Sequence, residues 1–275
     1  MTAVMTALIT SEAPLVDSHA HVYTTNMPLA ATAWHTPPHD ATIALYVDTL
    51  AQHGVQYAVL AAASLYDDYN EYSLEATRKH KHLRTTAIVK PTIDPYVMRL
   101  MKADGVVGVR LQWRNVANLP DISSPEYRKF FRRVTDLDWH VHINQSGPLL
   151  AAPIKALQAM GVKLVIDHFG HPQPGKGVNC EGFQGLLRAV ENGRTWVKLS
   201  AGYRLESPAV AEACAHELVK CCGAERLLWG SDWPFAAFED HMSYADAVSA
   251  FPRWVPDAHA RRIIGGETAL RLYFT

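Results

Sequence analysis

The sequence has little that would tie it to a membrane, an oxidising compartment or a polyanionic partner. It contains only four cysteines, Cys180, Cys214, Cys221 and Cys222. Their spacing matches neither a disulfide framework nor a zinc ribbon, so reduced thiols in a cytoplasm are expected. No uncharged apolar run approaches the roughly 18 residues that would make a membrane-spanning helix. Residues 1–14 lack a basic stretch and a cleavage site, and read as a leader to the first strand. Lys and Arg total 26 against 27 Asp and Glu, which leaves no general pull toward nucleic acid or anionic membrane. No Gly-x-Gly-x-x-Gly follows an apolar run, which removes the main mark of a dinucleotide-binding open sheet. No repeat of solenoid length and no low-complexity segment is present.

What is present is a chain of 275 residues with 48% hydrophobic content, enough for one large domain spanning 1–275. Short apolar runs alternate with amphipathic segments. Strands are expected at 15–19, 55–61, 85–89, 106–111, 139–143, 163–166, 195–199 and 226–229. Helices are expected at 40–53, 69–80, 95–103, 125–137, 149–160, 181–192 and 207–222, with further helical segments to the end. Asp40 reads as the N-cap of the first helix, and Ser123 or Ser124 as the cap before Pro125. Continuous Val/Ile/Leu strands imply burial on both faces, as in parallel sheets. The fold class expected is α/β, a single (β/α)8 TIM barrel, with a doubly wound sheet as the weaker reading.

Chemistry on a barrel collects at the C-terminal ends of the strands. The first strand runs into Asp17-Ser18-His19-Ala20-His21, where spacing i, i+2 sends two imidazoles to one side. Ser64 follows the second strand and Arg110 ends the fourth, with Arg114 shortly after. His142 and Asn144 end the fifth; Asp167-His168-Phe169-Gly170-His171 follows the sixth. Lys198 and Arg204 accompany the seventh, and Gly230-Ser231-Asp232-Trp233-Pro234 follows the eighth. Taken singly, each has a plain structural reading. His168 reads as a core histidine, Asp167 and Lys198 as structural, His171 as part of a turn. Together, so many titratable groups at one rim are hard to explain as packing, because charges do not collect on a barrel mouth without partners. The Pro-rich stretch 23–40 is long for a connection and reads as a loop over the site, and 112–124 as a second wall.

His-x-His after strand one, Asp-His-x-Gly-x-Pro after strand six and Trp-Gly-Ser-Asp-x-Pro after strand eight resemble the amidohydrolase superfamily. More narrowly, they resemble its amidohydrolase-related branch of pyrone dicarboxylate and sugar lactonases. The resemblance implies hydrolysis of a small anionic lactone, a pyrone dicarboxylate or muconolactone type from aromatic degradation. It implies Asp232 as general base and His19, His21 and His168 as the groups that polarise the carbonyl. It implies Arg110, Arg204 and Ser64 on substrate carboxylates. Arg114 is out of register with the second arginine of that pattern. His142 stands where a tyrosine is expected and where metal-dependent members carry a ligand. The resemblance therefore also implies one divalent metal such as zinc on His19, His21, His142 and Asp232, or no cofactor at all. Without a strand-four lysine or glutamate, no binuclear centre is implied.

Three other readings stand beside it. One is a zinc-dependent non-oxidative decarboxylase of the same superfamily, one a sugar lactonase, and one a non-catalytic dicarboxylate-binding protein. Every reading expects a small-molecule partner, no nucleic acid and no membrane, and leaves the oligomeric state open.

Overall fold

Short runs of buried aliphatic residues become strands, each followed by a helix that covers it. The computed structural model describes residues 13–275 apart from 115, 117 and 192. The leader expected at 1–14 lies almost wholly outside the described residues, as does the end of the helix expected to reach residue 192. The strands are β1 (Val16–Ala20), β2 (Tyr57–Leu60), β3 (Leu83–Ala87), β4 (Val106–Gln112), β5 (His140–Asn144), β6 (Lys163–Ile166), β7 (Thr195–Leu199) and β8 (Leu227–Trp229). They pair in parallel in that order. The helices between them are α1 (Ile43–Gln52), α2 (Glu71–Lys79), α3 (Pro95–Ala103), α4 (Pro125–Asp136), α5 (Ala151–Ala159), α6 (Glu181–Val190) and α7 (Pro208–Cys222). After β8 come α8 (Tyr244–Trp254), α9 (Ala258–Arg262), a π-type turn over Ile263–Glu267 and α10 (Thr268–Tyr273). This is the expected (β/α)8 barrel.

Strand side chains alternate between two apolar environments. Leu164, Ile166, Leu227 and Trp229 pack into the large cluster under the helices. Their neighbours Val165 and Leu228 join Val16 and Val59 in a smaller cluster, where Tyr273 and Ala269 of α10 close the base of the barrel. The two environments explain why the strands read as unbroken apolar runs.

Two expected boundaries move. Asp40 does not cap α1; Thr42 does, accepting from Leu45 N at 3.1 Å. Asp40 is drawn off by the loop, where its carboxylate accepts from the Thr25 backbone N–H and hydroxyl at 2.6 and 2.8 Å. β3 begins two residues early, at Leu83, because the alternation Leu83, Thr85, Ala87 puts buried side chains in register with β2 and β4. Ser124, not Ser123, caps α4.

The closing seam, between β1 and β8, is not an ordinary ladder. Only the Ala20–Trp233 bridge joins the two edges, with His21 N donating to Trp233 O at 2.7 Å and Asp232 N donating to His19 O at 2.8 Å. The fully buried Asp17 holds the seam. Its Oδ1 accepts from Ser231 N and His19 N at 2.9 and 3.1 Å. Its Oδ2 accepts from the hydroxyls of Ser231, Tyr46 and Tyr244 at 2.6, 2.9 and 3.0 Å. Gly230 makes the close approach possible: a Cβ there would lie 2.7 Å from His19 Cβ and 2.9 Å from its backbone N.

Replacing Asp17 by Asn turns at least one accepting position into a donor among five donors. The expected loss is about 2–3 kcal/mol of unfolding free energy in denaturant titration. An unchanged midpoint would show that the seam does not depend on this carboxylate.

Candidate active site

The mouth of the barrel holds a cavity of about 270 Å³, lined from the ends of seven strands and the connections that follow them, two of which are long loops. Tyr23 and Trp34 come from the β1–α1 loop, and Gln112 and Arg114 from the β4–α4 connection. Both loops expected to wall the site therefore do so. Trp34 Nε1 donates to the Ser64 hydroxyl at 3.3 Å, which sets the loop against the β2 end.

At its floor, three imidazoles surround one carboxylate oxygen. His19 Nε2 and His21 Nε2 each lie 3.6 Å from Asp232 Oδ1, and His168 Nε2 lies 3.7 Å from it. These separations exceed hydrogen-bond length, so the four atoms frame a space rather than bond to one another. His19 Nε2 is buried without a hydrogen-bond partner among the described residues. The i, i+2 spacing of His19 and His21 works as expected, with ring centroids 5.0 Å apart.

Each group is aimed by a second contact. His21 Nδ1 lies 2.7 Å from Ala61 O; a carbonyl only accepts, so Nδ1 carries the proton and the neutral ring has a bare Nε2. His168 Nδ1 meets the Ser200 hydroxyl at 2.8 Å. His168 stands in a run of left-handed backbone, with φ of 54°, 56°, 73° and 44° from His168 to His171. Such conformations cost about 1–3 kcal/mol each for residues other than glycine, and here they turn the imidazole back over the barrel. Asp232 is also left-handed, at φ 66°.

Asp232 Oδ2 accepts from the Tyr203 hydroxyl at 2.6 Å and from Arg204 Nε at 2.8 Å. That leaves Oδ1 as the oxygen facing the histidines. Burial pushes the carboxyl upward, but the Arg204 guanidinium bonded to it outweighs that and holds it well below the ordinary carboxylate range. Burial likewise keeps the three buried histidines near it neutral. It carries His168 down to about 4 and His19 and His171 well below their usual range.

The cationic side chains differ in how free they are. Arg110 bonds Asp167 Oδ2 through Nε at 3.1 Å and Ala62 O through Nη1 at 2.8 Å. Arg204, expected as a carboxylate clamp, commits Nε to Asp232 and Nη2 to Ala236 O. Both arginines line the cavity, but each offers a ligand only the remaining part of its fork. Arg114, whose place in the family pattern is out of register, is the arginine of the cavity with no carboxylate partner among the described residues. Sequence reasoning set it aside because register, not reach, was the only available signal.

His142 is not brought to the mouth. It is fully buried on β5, neither ring nitrogen has a hydrogen-bond partner among the described residues, and its ring lies 5.9 Å from that of Tyr273. The donor atoms that do come together, within 4.8 Å of one another, belong to His19, His168 and Asp232. Among the described residues the expected set of His19, His21, His142 and Asp232 does not converge as a group: the straight strand β5 keeps His142 below the mouth, while the backbone turn after β6 lifts His168 over it. Lys198 and Asp167, placed at the rim by the sequence and read as structural, support the site, as do Tyr203 and Ser200, which the sequence did not single out.

His168 makes stability depend on pH. Its folded value near 4 lies below the ordinary 6.5, so the unfolded chain takes up the proton first as pH falls. The contribution is fully present above about pH 6.5 and is lost as pH drops toward 4. Between pH 7 and 4.5 the protein is expected to lose about 2–3 kcal/mol more than His168→Gln, measured by denaturant titration. Parallel curves for the two would refute a neutral, buried His168.

The amidohydrolase family model matches residues 16–275. The 4-sulfomuconolactone hydrolase of Hydrogenophaga intermedia is 26% identical over 268 residues, covering 94% of this chain and 88% of that protein. The 2-pyrone-4,6-dicarboxylate hydrolase of Comamonas testosteroni is 28% identical, covering 94% of this chain and 90% of that protein. A crystal structure from Acinetobacter baumannii, described as a probable 2-pyrone-4,6-dicarboxylic acid hydrolase with citric acid bound, superposes with a TM-score of 0.91. It is 30% identical and covers 95% of this chain and all of that one. The motifs at the ends of β1, β6 and β8 and this match over nearly the whole length agree: the chain belongs to the amidohydrolase family.

Proposed function

We propose that this protein hydrolyses a small lactone carrying anionic substituents, with Asp232 as general base and imidazole N–H groups as donors to the carbonyl oxygen. The observation that carries the reading is the convergence of three imidazoles and one ionised carboxylate at the floor of a cationic cavity. Both named relatives act on lactone rings with acidic substituents, and the structural relative was crystallised with a tricarboxylic acid. The cavity suits such a ligand. Arg110 is balanced by Asp167 and Arg204 by Asp232, which leaves Arg114 as the cavity arginine with no carboxylate partner among the described residues.

Hydrolysis joins water to the carbonyl carbon, breaks the ring C–O bond and returns a proton to the departing oxygen. A water in the space beside Asp232 Oδ1 can give its proton to that oxygen and attack. A carboxylate held this low is ionised over the whole ordinary pH range but is a weak base. Much of the acceleration therefore falls on the groups that stabilise the oxyanion, roughly 3–4 kcal/mol for each well-placed donor. As the C–O bond breaks, the proton on Asp232 passes to the departing oxygen. Arg114 and the free parts of Arg110 and Arg204 hold the anionic substituents and orient the ring.

The floor also fits a divalent metal. The unpartnered His19 Nε2, His168 Nε2 and Asp232 Oδ1 form a nitrogen and oxygen set suited to zinc, and the bare Nε2 of His21 lies 3.6 Å from the same carboxylate oxygen. Bound there, a metal would supply Lewis-acid polarisation of the carbonyl and a more acidic water. Neither the decarboxylase nor the binding-only reading draws support from the site. An ionised carboxylate placed at the floor would repel a bound dicarboxylate, and it gains a purpose only by taking a proton.

Purified protein is expected to open pyrone dicarboxylate or sulfo-substituted muconolactone rings, followed by absorbance. Asp232→Asn should lower kcat by about 10²–10⁴-fold. Arg114→Ala should raise KM about tenfold for a doubly anionic lactone and leave kcat nearly unchanged, a loss of about 1.4 kcal/mol. Turnover of neutral sugar lactones alone, with KM indifferent to Arg114, would overturn the substrate class.

A further inference from the structure

Lys198 has no place in the chemistry above, yet it is completely buried. Its Nζ lies 3.1 Å from His19 Nδ1 and 3.2 Å from Asp167 Oδ1. Asp167 Oδ1 is itself 3.3 Å from the same His19 nitrogen. The two neighbours make opposite demands, because an ammonium only donates and a carboxylate only accepts. A neutral His19 bonded to Lys198 has a bare Nδ1 and its proton on Nε2. A His19 bonded to Asp167 has the reverse.

The geometry favours the lysine. Lys198 Nζ makes the shorter contact and meets the ring nitrogen at a hydrogen-bonding angle, whereas Asp167 Oδ1 approaches the same nitrogen without one. Asp167 serves instead as counter-charge to Lys198 and Arg110. Burial pulls the Lys198 ammonium below its ordinary value, and the adjacent Asp167 carboxylate works against that. His21 is fixed the other way, by the Ala61 carbonyl. The two histidines of one His-x-His motif thus present a proton and a lone pair to the same space beside Asp232.

We propose that Lys198 is a positioning residue that holds His19 in its Nε2–H form and so makes His19 a donor to the carbonyl oxygen of the substrate. The identity of that oxygen rests on the lactone hydrolase reading; the tautomer does not. The same assignment removes His19 Nε2 from the donors open to a metal, which leaves only His168 and Asp232 of the converging group.

Nitrogen-15 NMR of histidine-labelled wild-type protein at pH 7.5, with His19→Gln to identify the signal, tests the tautomer directly. The expected spectrum has a protonated Nε2 and a bare Nδ1 for His19. Lys198→Arg, which keeps a cationic donor, should preserve that pattern. Lys198→Met should move the proton to Nδ1, toward Asp167, and lower kcat about 10- to 100-fold with KM much less affected. A wild-type His19 with its proton on Nδ1 overturns the proposal, and that spectrum decides it even if Lys198→Met does not fold. Lactone turnover of the same wild-type sample is scored separately. Its absence beside the expected spectrum would sink the substrate reading and leave the role of Lys198 standing.

Discussion

One buried carboxylate ties the two ends of the chain together. Asp17 accepts five hydrogen bonds, two of them from Ser231. Strands β1 and β8 carry at their ends three of the four groups at the floor of the cavity, His19 and His21 on one side and Asp232 on the other. They are also the pair of edges with no ladder between them. A barrel held there by one backbone bridge and the Asp17 side chain leaves room for a left-handed turn at Asp232. The hydrogen bond from Asp232 N to His19 O then fixes the base relative to the first imidazole. The distances at the floor of the site follow from this seam.

Below the mouth, charge is arranged in a second buried layer. Arg110, Asp167, Lys198 and His19 form a contiguous network with almost no exposure. Burying so many ionised groups is costly unless each is paired and hydrogen-bonded, and apolar replacements would often be more stable. The network is better understood as a device that holds His19 in one orientation and one protonation pattern. The His168 to His171 turn is comparable: its backbone strain lifts one imidazole over the cavity and is held by packing, with Gly170 close against Leu186 and Leu150.

The fold was legible because its signal is local and repeated. Eight apolar runs separated by amphipathic segments admit few arrangements, and every strand was found close to where it was expected. The meeting of His19, His21, His168 and Asp232 was legible because three motifs sat at strand ends. The misplacements have specific causes. Asp40 is a good cap by residue type, but Thr25, fifteen positions earlier, competes for its carboxylate. His142 is a good ligand by type, but a straight strand leaves it under the site while a kinked turn raises His168.

What the sequence determined by itself was the barrel, the rim and the kinds of group that meet there, since periodicity and spacing depend on neighbours along the chain. What only the tertiary structure decided was which atoms of those groups are free. Arg204 spends part of its fork on Asp232, Arg114 has no carboxylate partner among the described residues, and His19 and His21 carry their protons on different nitrogens. The bonds that decide this join residues far apart in the chain, such as Lys198 to His19 or Ala61 to His21. Hydrogen-bond direction is set by what stands opposite an atom in space, and spacing along the chain carries no record of that.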